Sequence, residues 1–345
     1  MDKDTLIAQE KQYVAQTYKR PPFVLDHGEG VYLYDTDGRQ YLDLTAGIAV
    51  NALGYGDADV EATLDAQSKK LMHTSNLYYS APMIELAKQL VEHSFADKVF
   101  FCNSGTEANE GAMKFARKWT LKHFGEGKSG FVAFTHSFHG RTFAALSVTA
   151  KEKYRKPFEP LLPNVTFAEF NDLASAQSAI TGTTCAVIVE PIQGEGGINI
   201  ATQEFLEGVK AACAEHHALL IFDEIQSGMG RTGNLWGYEA YGVTPDIMTL
   251  AKALGGGLPI GAILMTDAVA SVLEPGDHGS TFAANATICA VANVVFNKLS
   301  HPDFLARVQQ MGAYLGEKLD ALKTEFPSLI TAVREGAPDA VLQPQ

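Results

Sequence analysis

Residues 218–233 read A-L-L-I-F-D-E-I-Q-S-G-M-G-R-T-G. Five apolar residues run straight into two carboxylates, Asp223 and Glu224. A short continuous apolar run of this kind is the pattern of a strand buried on both faces of a parallel sheet. A carboxylate at the end of such a strand needs a positive partner or strong donors, because an unpaired buried charge is costly. A structural salt bridge would meet that need; so would a ligand. Further on, I-M-T-L-A-K-A-L-G-G-G (247–257) sets a single lysine, Lys252, between an apolar run and three glycines.

Outward from this stretch, the same grammar repeats. Short apolar runs at 98–102, 131–135, 186–190, 219–223, 247–250 and 261–265 alternate with amphipathic stretches such as 107–118 and 203–214. Continuous apolar strands alternating with helices predict an α/β fold with a mostly parallel sheet covered on both faces. Residues 31–44, V-Y-L-Y-D-T-D-G-R-Q-Y-L-D-L, predict a hairpin around the D-T-D-G turn. Helices are expected over 5–18 and 302–325, with a weak apolar run at 328–333.

The chain has 345 residues, enough for about two average domains. Its net charge of −13 argues against nucleic acid and against an anionic membrane surface. No run approaches the length of a membrane span. Cys102, Cys185, Cys213 and Cys289 have no metal-binding or disulfide spacing. Together with a charged N-terminal stretch, they lead to the expectation of a cytosolic protein, and no metal is expected.

In open α/β sheets, ligands bind outside the carboxyl ends of the strands, so the polar residues there decide function. N-S-G-T-E-A-N (103–109) opens a helix, where exposed N–H groups and the dipole suit an anion. Its bland alternative is an ordinary cap, with Thr106 capping and Asn109 at the third helical position. T-H-S-F-H-G-R-T (135–142) offers Phe138 and Arg141, an aromatic plate and a bidentate carboxylate ligand, or a packing ring beside a surface arginine. E-P-I-Q-G-E-G-G (190–197) carries Glu190 and Glu195 around a flexible turn. G-E-G-K-S-G (125–130) is not a phosphate loop, since the required glycine at 122 is Lys122. No G-x-G-x-x-G follows a strand, which excludes a dinucleotide fold.

A phosphate cradle, an aromatic plate, a buried acid and one lysine point together to pyridoxal 5'-phosphate. Its aldehyde takes one amine, for which Lys252 is placed. Its ring nitrogen stays protonated beside a buried carboxylate such as Asp223.

Five motifs in order carry a resemblance: S-G-T-E-A-N-E-G (104–111), F-H-G-R-T (138–142), E-P-I-Q-G-E-G-G (190–197), F-D-E-I-Q-S-G-M-G-R-T-G (222–233) and L-A-K-A-L-G-G-G-L-P-I-G-A (250–262). The sequence resembles the class III pyridoxal-phosphate aminotransferases over roughly 10–333, and most of all the acetylornithine aminotransferases among them. The resemblance implies a fold-type I homodimer with the active site at the subunit interface. It implies a large cofactor-binding domain at 46–280, flanked by an N-terminal segment of a small α+β domain at 1–45 and an incomplete C-terminal part at 281–345. By motif position, Lys252 would bind the cofactor's aldehyde and Asp223 its ring nitrogen. Gln226 would bond its phenolic oxygen, with Glu224 and Ile225 beside it. Ser104, Gly105 and Thr106 would hold the phosphate, and Phe138 would stack on the ring. Arg141 would bind a substrate carboxylate. Glu195 would be the glutamate that pairs with an arginine for the amine donor and releases it for a dicarboxylate acceptor. Ser280 and Thr281 would reach across the dimer to substrate and phosphate.

The implied reaction moves the amino group of N-acetylornithine to 2-oxoglutarate by a ping-pong route. The same resemblance leaves room for ornithine, succinylornithine or 4-aminobutyrate as donor, and for a cofactor-binding protein of little activity. Three departures stand out. Ala283 and Ala284 replace two glycines in G-S-T-F-A-A-N-A-T (279–287), and L-G-Y-G-D (53–57) replaces L-G-H-x-H-P. After Arg334 the family continues for some 40 to 60 residues beyond this C-terminus, a length taken from the resemblance. The expectation is therefore that Glu195 lacks its usual arginine partner, with Arg334 in the wrong motif to replace it.

Overall fold

The apolar run at 219–223 is the central strand of a seven-stranded sheet. The structure, a computed structural model, describes residues 2–336 and 339–344. In chain order the sheet's strands are β1 (Lys98–Cys102), β2 (Gly130–Phe134), β3 (Val165–Ala168), β4 (Thr184–Val189), β5 (Leu219–Asp223), β6 (Ile247–Leu250) and β7 (Gly261–Met265). Their spatial order is β1-β7-β6-β5-β4-β2-β3. Strands β3, β2, β4, β5 and β6 pair in parallel, while β7 runs antiparallel to both β6 and β1. The mostly parallel sheet expected from the apolar runs is present.

Every residue of β4, β5, β6 and β7 is buried, which is why those segments read as unbroken apolar runs. Alternate side chains serve opposite faces. Leu219 and Ile221 pack with Ala108, Ala112, Met113 and Phe115 of the helix Gly105–Phe124. Leu220 and Phe222 pack with Phe205, Leu206 and Val209 of the helix Gln203–Glu215. A third cluster joins Leu250, Leu254, Trp236 and Phe296. Each fully buried side chain of this size contributes about 1.5–3 kcal/mol, so a polar residue at the end of β5 is held by a rigid support.

The remaining pieces flank this core. The hairpin expected at 31–44 exists as Tyr32–Asp35 and Gln40–Leu42, with a third antiparallel strand, Leu25–Glu29, on its edge. Buried Asp35 closes the turn, accepting the Tyr41 hydroxyl at 2.7 Å and the N–H groups of Asp37 and Arg39 at 3.0 and 2.9 Å. The N-terminal helix is Lys3–Tyr13, shorter than the expected 5–18. The long helix matches its expected limits, Pro302–Glu325, and buries only Gly312 and Gly316. The weak run near 328–333 is a strand, Ile330–Gly336, paired antiparallel with Asp339–Pro344. Met1 and Gln345, the outer limits of the expected flanking segments, lie outside the described residues. No helix among the described residues is long and apolar enough to cross a membrane. The four cysteines are buried and unpaired, and burial pushes their thiols up to about 11 for Cys185 and about 12 for the other three.

Candidate active site

The carboxyl ends of β1, β2, β4, β5 and β6 converge on one cavity of about 430 Å³. Because β7 is antiparallel, it is its entry, Leu258–Ile260, that completes the wall. Ser104, Gly105, Thr106, Phe138, Arg141, Glu195, Asp223, Ile225, Gln226 and Lys252 all line this cavity. Ten of the sequence-derived candidates therefore meet in one place.

Asp223 ends β5 and is almost wholly buried. Its Oδ2 accepts from Asn109 Nδ2 at 2.7 Å and faces His139 Nδ1 at 2.7 Å, while Oδ1 accepts the Ile225 N–H at 3.1 Å. Asn109 in turn accepts from the buried Thr249 hydroxyl at 2.8 Å. The carboxylate is thus held by neutral donors and an imidazole, not by an arginine or lysine salt bridge. Sequence reading gave Asn109 only a place in the helix's first turn, and gave His139 no role. Their partner lies 114 and 84 positions away, so only the strand order reveals it.

Lys252 follows β6 by two residues and opens a short 3-10 turn with φ 38°, a left-handed value that costs a non-glycine residue about 1–3 kcal/mol. Gly256 and Gly257 (φ 56° and 110°) continue this bend, where other residues would be strained. The lysine amine has no hydrogen bond or ion pair among the described residues. Burial lowers its pKa below the ordinary 10.5, against which Glu195, Asp223 and Glu190 pull upward. Glu190, singled out as chemistry-capable from sequence, also lines the cavity, buried. Its Oε2 accepts the Phe138 N–H at 3.0 Å, and burial, with Asp223 nearby, holds its carboxyl well above the usual range.

The helix Gly105–Phe124 begins at the cavity. Its cap is Ser104, whose hydroxyl accepts the Glu107 N–H at 3.3 Å; the expectation of Thr106 as cap is corrected. Thr106 instead turns its hydroxyl to the Arg141 and Thr142 N–H groups, both at 3.2 Å. This is possible because Gly140 (φ 135°) has no Cβ, which would overlap the Thr106 side chain. The N–H groups of Gly105 and Thr106 keep no protein acceptor among the described residues, at the positive end of a 20-residue helix. On the opposite wall, Gln226 occupies the space that the missing Cβ of Gly194 leaves open.

Three candidates lie elsewhere. Glu224 turns away from the cavity: its carboxylate accepts the Gly237 and Tyr238 N–H groups at 2.5 and 2.7 Å, and burial pushes it up to about 8. Its expected cofactor contact is therefore corrected to a structural one. Ser280 and Thr281 line a different cavity, with Leu77 and His278. Ser280 Oγ accepts from Asn103 Nδ2 at 2.8 Å. Near them Ala284, at one of the two positions where the family has glycine, adopts φ 56°. Arg334 rests against Gly197, with Nη2 3.3 Å from where a Cβ would be, and makes no ion pair with Glu195.

These groups fit pyridoxal 5'-phosphate. The site offers one free amine of lowered basicity, the fixed buried carboxylate of Asp223, an open helix N-terminus for a phosphate and the Phe138 ring on its wall.

Comparison with known proteins agrees. The family model for class-III aminotransferases matches residues 13–337. The mitochondrial acetylornithine aminotransferase of Alnus glutinosa is 53% identical over 307 residues, covering 88% of this chain and 68% of that protein. A probable mitochondrial acetylornithine aminotransferase of Dictyostelium discoideum is 49% identical over 327 residues, covering 93% of this chain and 72% of the relative. The crystal structure of ornithine aminotransferase from Toxoplasma gondii ME49 superposes with a TM-score of 0.95 at 30% identity, over 100% of this chain and 83% of that one. Both curated relatives are named as mitochondrial, which overturns the expectation of a cytosolic protein. Unpaired thiols separate oxidising from reducing compartments, not one reducing compartment from another. By motif, fold and cavity alike, the chain belongs to the class-III aminotransferases, pyridoxal-phosphate-dependent enzymes that move an amino group from a small-molecule donor to a keto acid.

Proposed function

We propose that the chain transfers the amino group of N-acetylornithine to 2-oxoglutarate by a ping-pong route. The observation that carries this is the meeting of Lys252 and Asp223, from the ends of adjacent parallel strands, in one cavity, in a chain about half identical to acetylornithine aminotransferases.

When bound, the cofactor supplies an aldehyde for the substrate amine and a ring that accepts the electrons of the substrate Cα–H bond. The chain's own residues do the rest. Lys252 would hold the cofactor and would move the proton at the substrate carbon; its lowered pKa favours the neutral amine this requires. Asp223, fixed by Asn109 and His139, keeps a proton on the ring nitrogen. Gly105 and Thr106, with Ser104, hold the phosphate through main-chain donors. Phe138 and Ile225 would pack against the ring, and Gln226 would bond its phenolic oxygen. Arg141 binds a substrate carboxylate, and Glu195 adjusts the same wall to donor or acceptor.

The working unit in this reading is a homodimer in which Ser280 and Thr281 serve the partner's site. Their position away from this chain's own cofactor cavity supports it, as do Leu77, Tyr78, Tyr79 and Phe282, which are 80, 70, 93 and 63% exposed. Residues 46–280 form the large domain, with 1–45 and 281–345 as parts of the small one.

The test is a donor screen on cofactor-loaded protein without keto acid. N-acetylornithine should discharge the bound cofactor's absorbance at lower concentration than ornithine, succinylornithine or 4-aminobutyrate. A preference for another amine replaces the donor while leaving the reaction class intact.

A further inference from the structure

The motif S-G-T-E-A-N-E-G (104–111) carries a second glutamate, Glu110, to which neither the cavity nor the resemblance gives a role. It stands four residues after Thr106 on the helix Gly105–Phe124, so the two side chains share one face. Glu110 is half-buried and has no ion pair among the described residues. A partly buried carboxylate without a cation needs donors. It finds two main-chain groups: Oε1 accepts the Ala144 N–H at 2.8 Å and the Ala145 N–H at 3.2 Å. Both belong to the first turn of the short helix Phe143–Ser147, which starts two residues after Arg141.

That helix lacks its own cap. Thr142 holds the capping position, yet its hydroxyl makes no bond to the helix and pairs with Thr106 Oγ1 at 2.7 Å. Glu110 supplies from a neighbouring helix the acceptor that Thr142 does not, and its negative charge suits the positive helix end. On the other side of Arg141, the buried Thr149 hydroxyl accepts the His139 N–H at 2.9 Å and donates to the Ala145 carbonyl at 3.0 Å. Thr106 Oγ1, accepting the Arg141 and Thr142 N–H groups, grips the middle. The main chain of Arg141 is thus fixed from both sides, and its guanidinium carbon rests 3.4 Å from the centroid of the Tyr154 ring. Thr106 faces two ways: its N–H is open toward the phosphate end of the cavity, while its side chain holds Arg141. One residue sets the spacing between the phosphate end and the arginine, and Glu110 keeps that grip closed.

We propose that Glu110 is a positioning residue for transamination: by capping the Phe143–Ser147 helix it holds Arg141 in the geometry that receives a substrate carboxylate. It touches neither substrate nor cofactor and acts only through the arginine. A two-pronged contact tolerates little displacement, so a slackened segment loses affinity for the carboxylate. This rests on the reading of Arg141 as the carboxylate ligand, and its test separates the two.

Calorimetric titration of the cofactor-loaded protein with glutarate measures the contact without turnover. Arg141→Ala should weaken glutarate about tenfold or more, and Glu110→Ala about fivefold, the worth of one ordinary hydrogen bond. Glu110→Gln, whose amide oxygen still accepts, should stay within about twofold of the parent. In the Arg141→Ala background Glu110→Ala should add nothing, because it has no other route to the ligand. Thermal melts check that each variant is folded. Should Glu110→Ala fail to fold, Glu110→Asp carries the test, since it keeps the charge but falls short of the two N–H groups and should show the same loss. A folded variant that binds glutarate like the parent, or losses that multiply in the double variant, overturn the proposal and leave the Arg141 reading intact. Arg141→Ala binding glutarate like the parent removes that reading and the proposal with it.

Discussion

Asp223 Oδ2 and His139 Nδ1 lie 2.7 Å apart with both side chains shut away from solvent. The second ring nitrogen, His139 Nε2, is buried without a partner. The imidazole is therefore committed to one task, fixing the carboxylate that ends β5. Asp223→Asn should keep the fold, because the amide still accepts one bond, yet lose most transamination. Removing one partner of a buried charged contact costs about 2–5 kcal/mol. Normal circular dichroism with turnover lowered at least about 30-fold is expected; near-normal turnover would remove Asp223 from the mechanism.

Asn109→Ala tests the support behind that carboxylate. It deletes the donor to Asp223 and to the His139 carbonyl and strands the Thr249 hydroxyl, three losses in a buried network. Unfolding in urea should show a stability loss of about 1–3 kcal/mol, the usual cost of unsatisfied buried polar groups. An unchanged midpoint would mean that the network relaxes freely.

How much of this was legible in the sequence follows from geometry. Strands β4 to β7 are covered on both faces, so each had to be an apolar run, and their polar ends marked the site. The antiparallel direction of β7 left no trace, because G-A-I-L-M is equally apolar either way. The edge strand Leu25–Glu29, L-D-H-G-E, has mostly exposed residues and no alternation to read. Asn109, on the helix after β1, and His139, in the loop after β2, meet Asp223 only once that helix packs over the sheet and β2, β4 and β5 are side by side, which a linear pattern does not encode. Glu224 was misread because its neighbours on both sides do face the cavity, and a turn reverses direction within one residue.

Gly194→Ala should act on the cofactor and not on the fold. The new methyl would take the place of the Gln226 side-chain amide, a flexible end that moves at little cost to stability. The account expects an unchanged melting temperature for the cofactor-free protein and about tenfold weaker cofactor binding, the loss of one hydrogen bond to a charged group. Fluorescence titration with pyridoxal phosphate checks it.

Arg141→Lys should raise the substrate KM by about tenfold or more, since lysine cannot make the two-pronged carboxylate contact. Cofactor affinity should hold. The opposite split would assign Arg141 to the phosphate or to the Tyr154 stack alone.

Capture of the cofactor should depend on pH with a definite sign. Only the neutral Lys252 amine attacks an aldehyde, so the capture rate rises with pH, with a midpoint below the ordinary lysine value because burial disfavours the charged form. Glu195 is the strongest of the charges that raise this pKa. Glu195→Gln should therefore shift the midpoint further down. Stopped-flow absorbance across pH measures it, and an upward shift would contradict the charge arrangement described.

The account's central claim is that Lys252 is the residue that binds pyridoxal phosphate. Borohydride reduction of the loaded protein, followed by digestion and mass mapping, tests it most directly. The account predicts one phosphopyridoxyl label, on the peptide containing Lys252, absent from Lys252→Ala. A label on another lysine, such as Lys128 or Lys151, would contradict it.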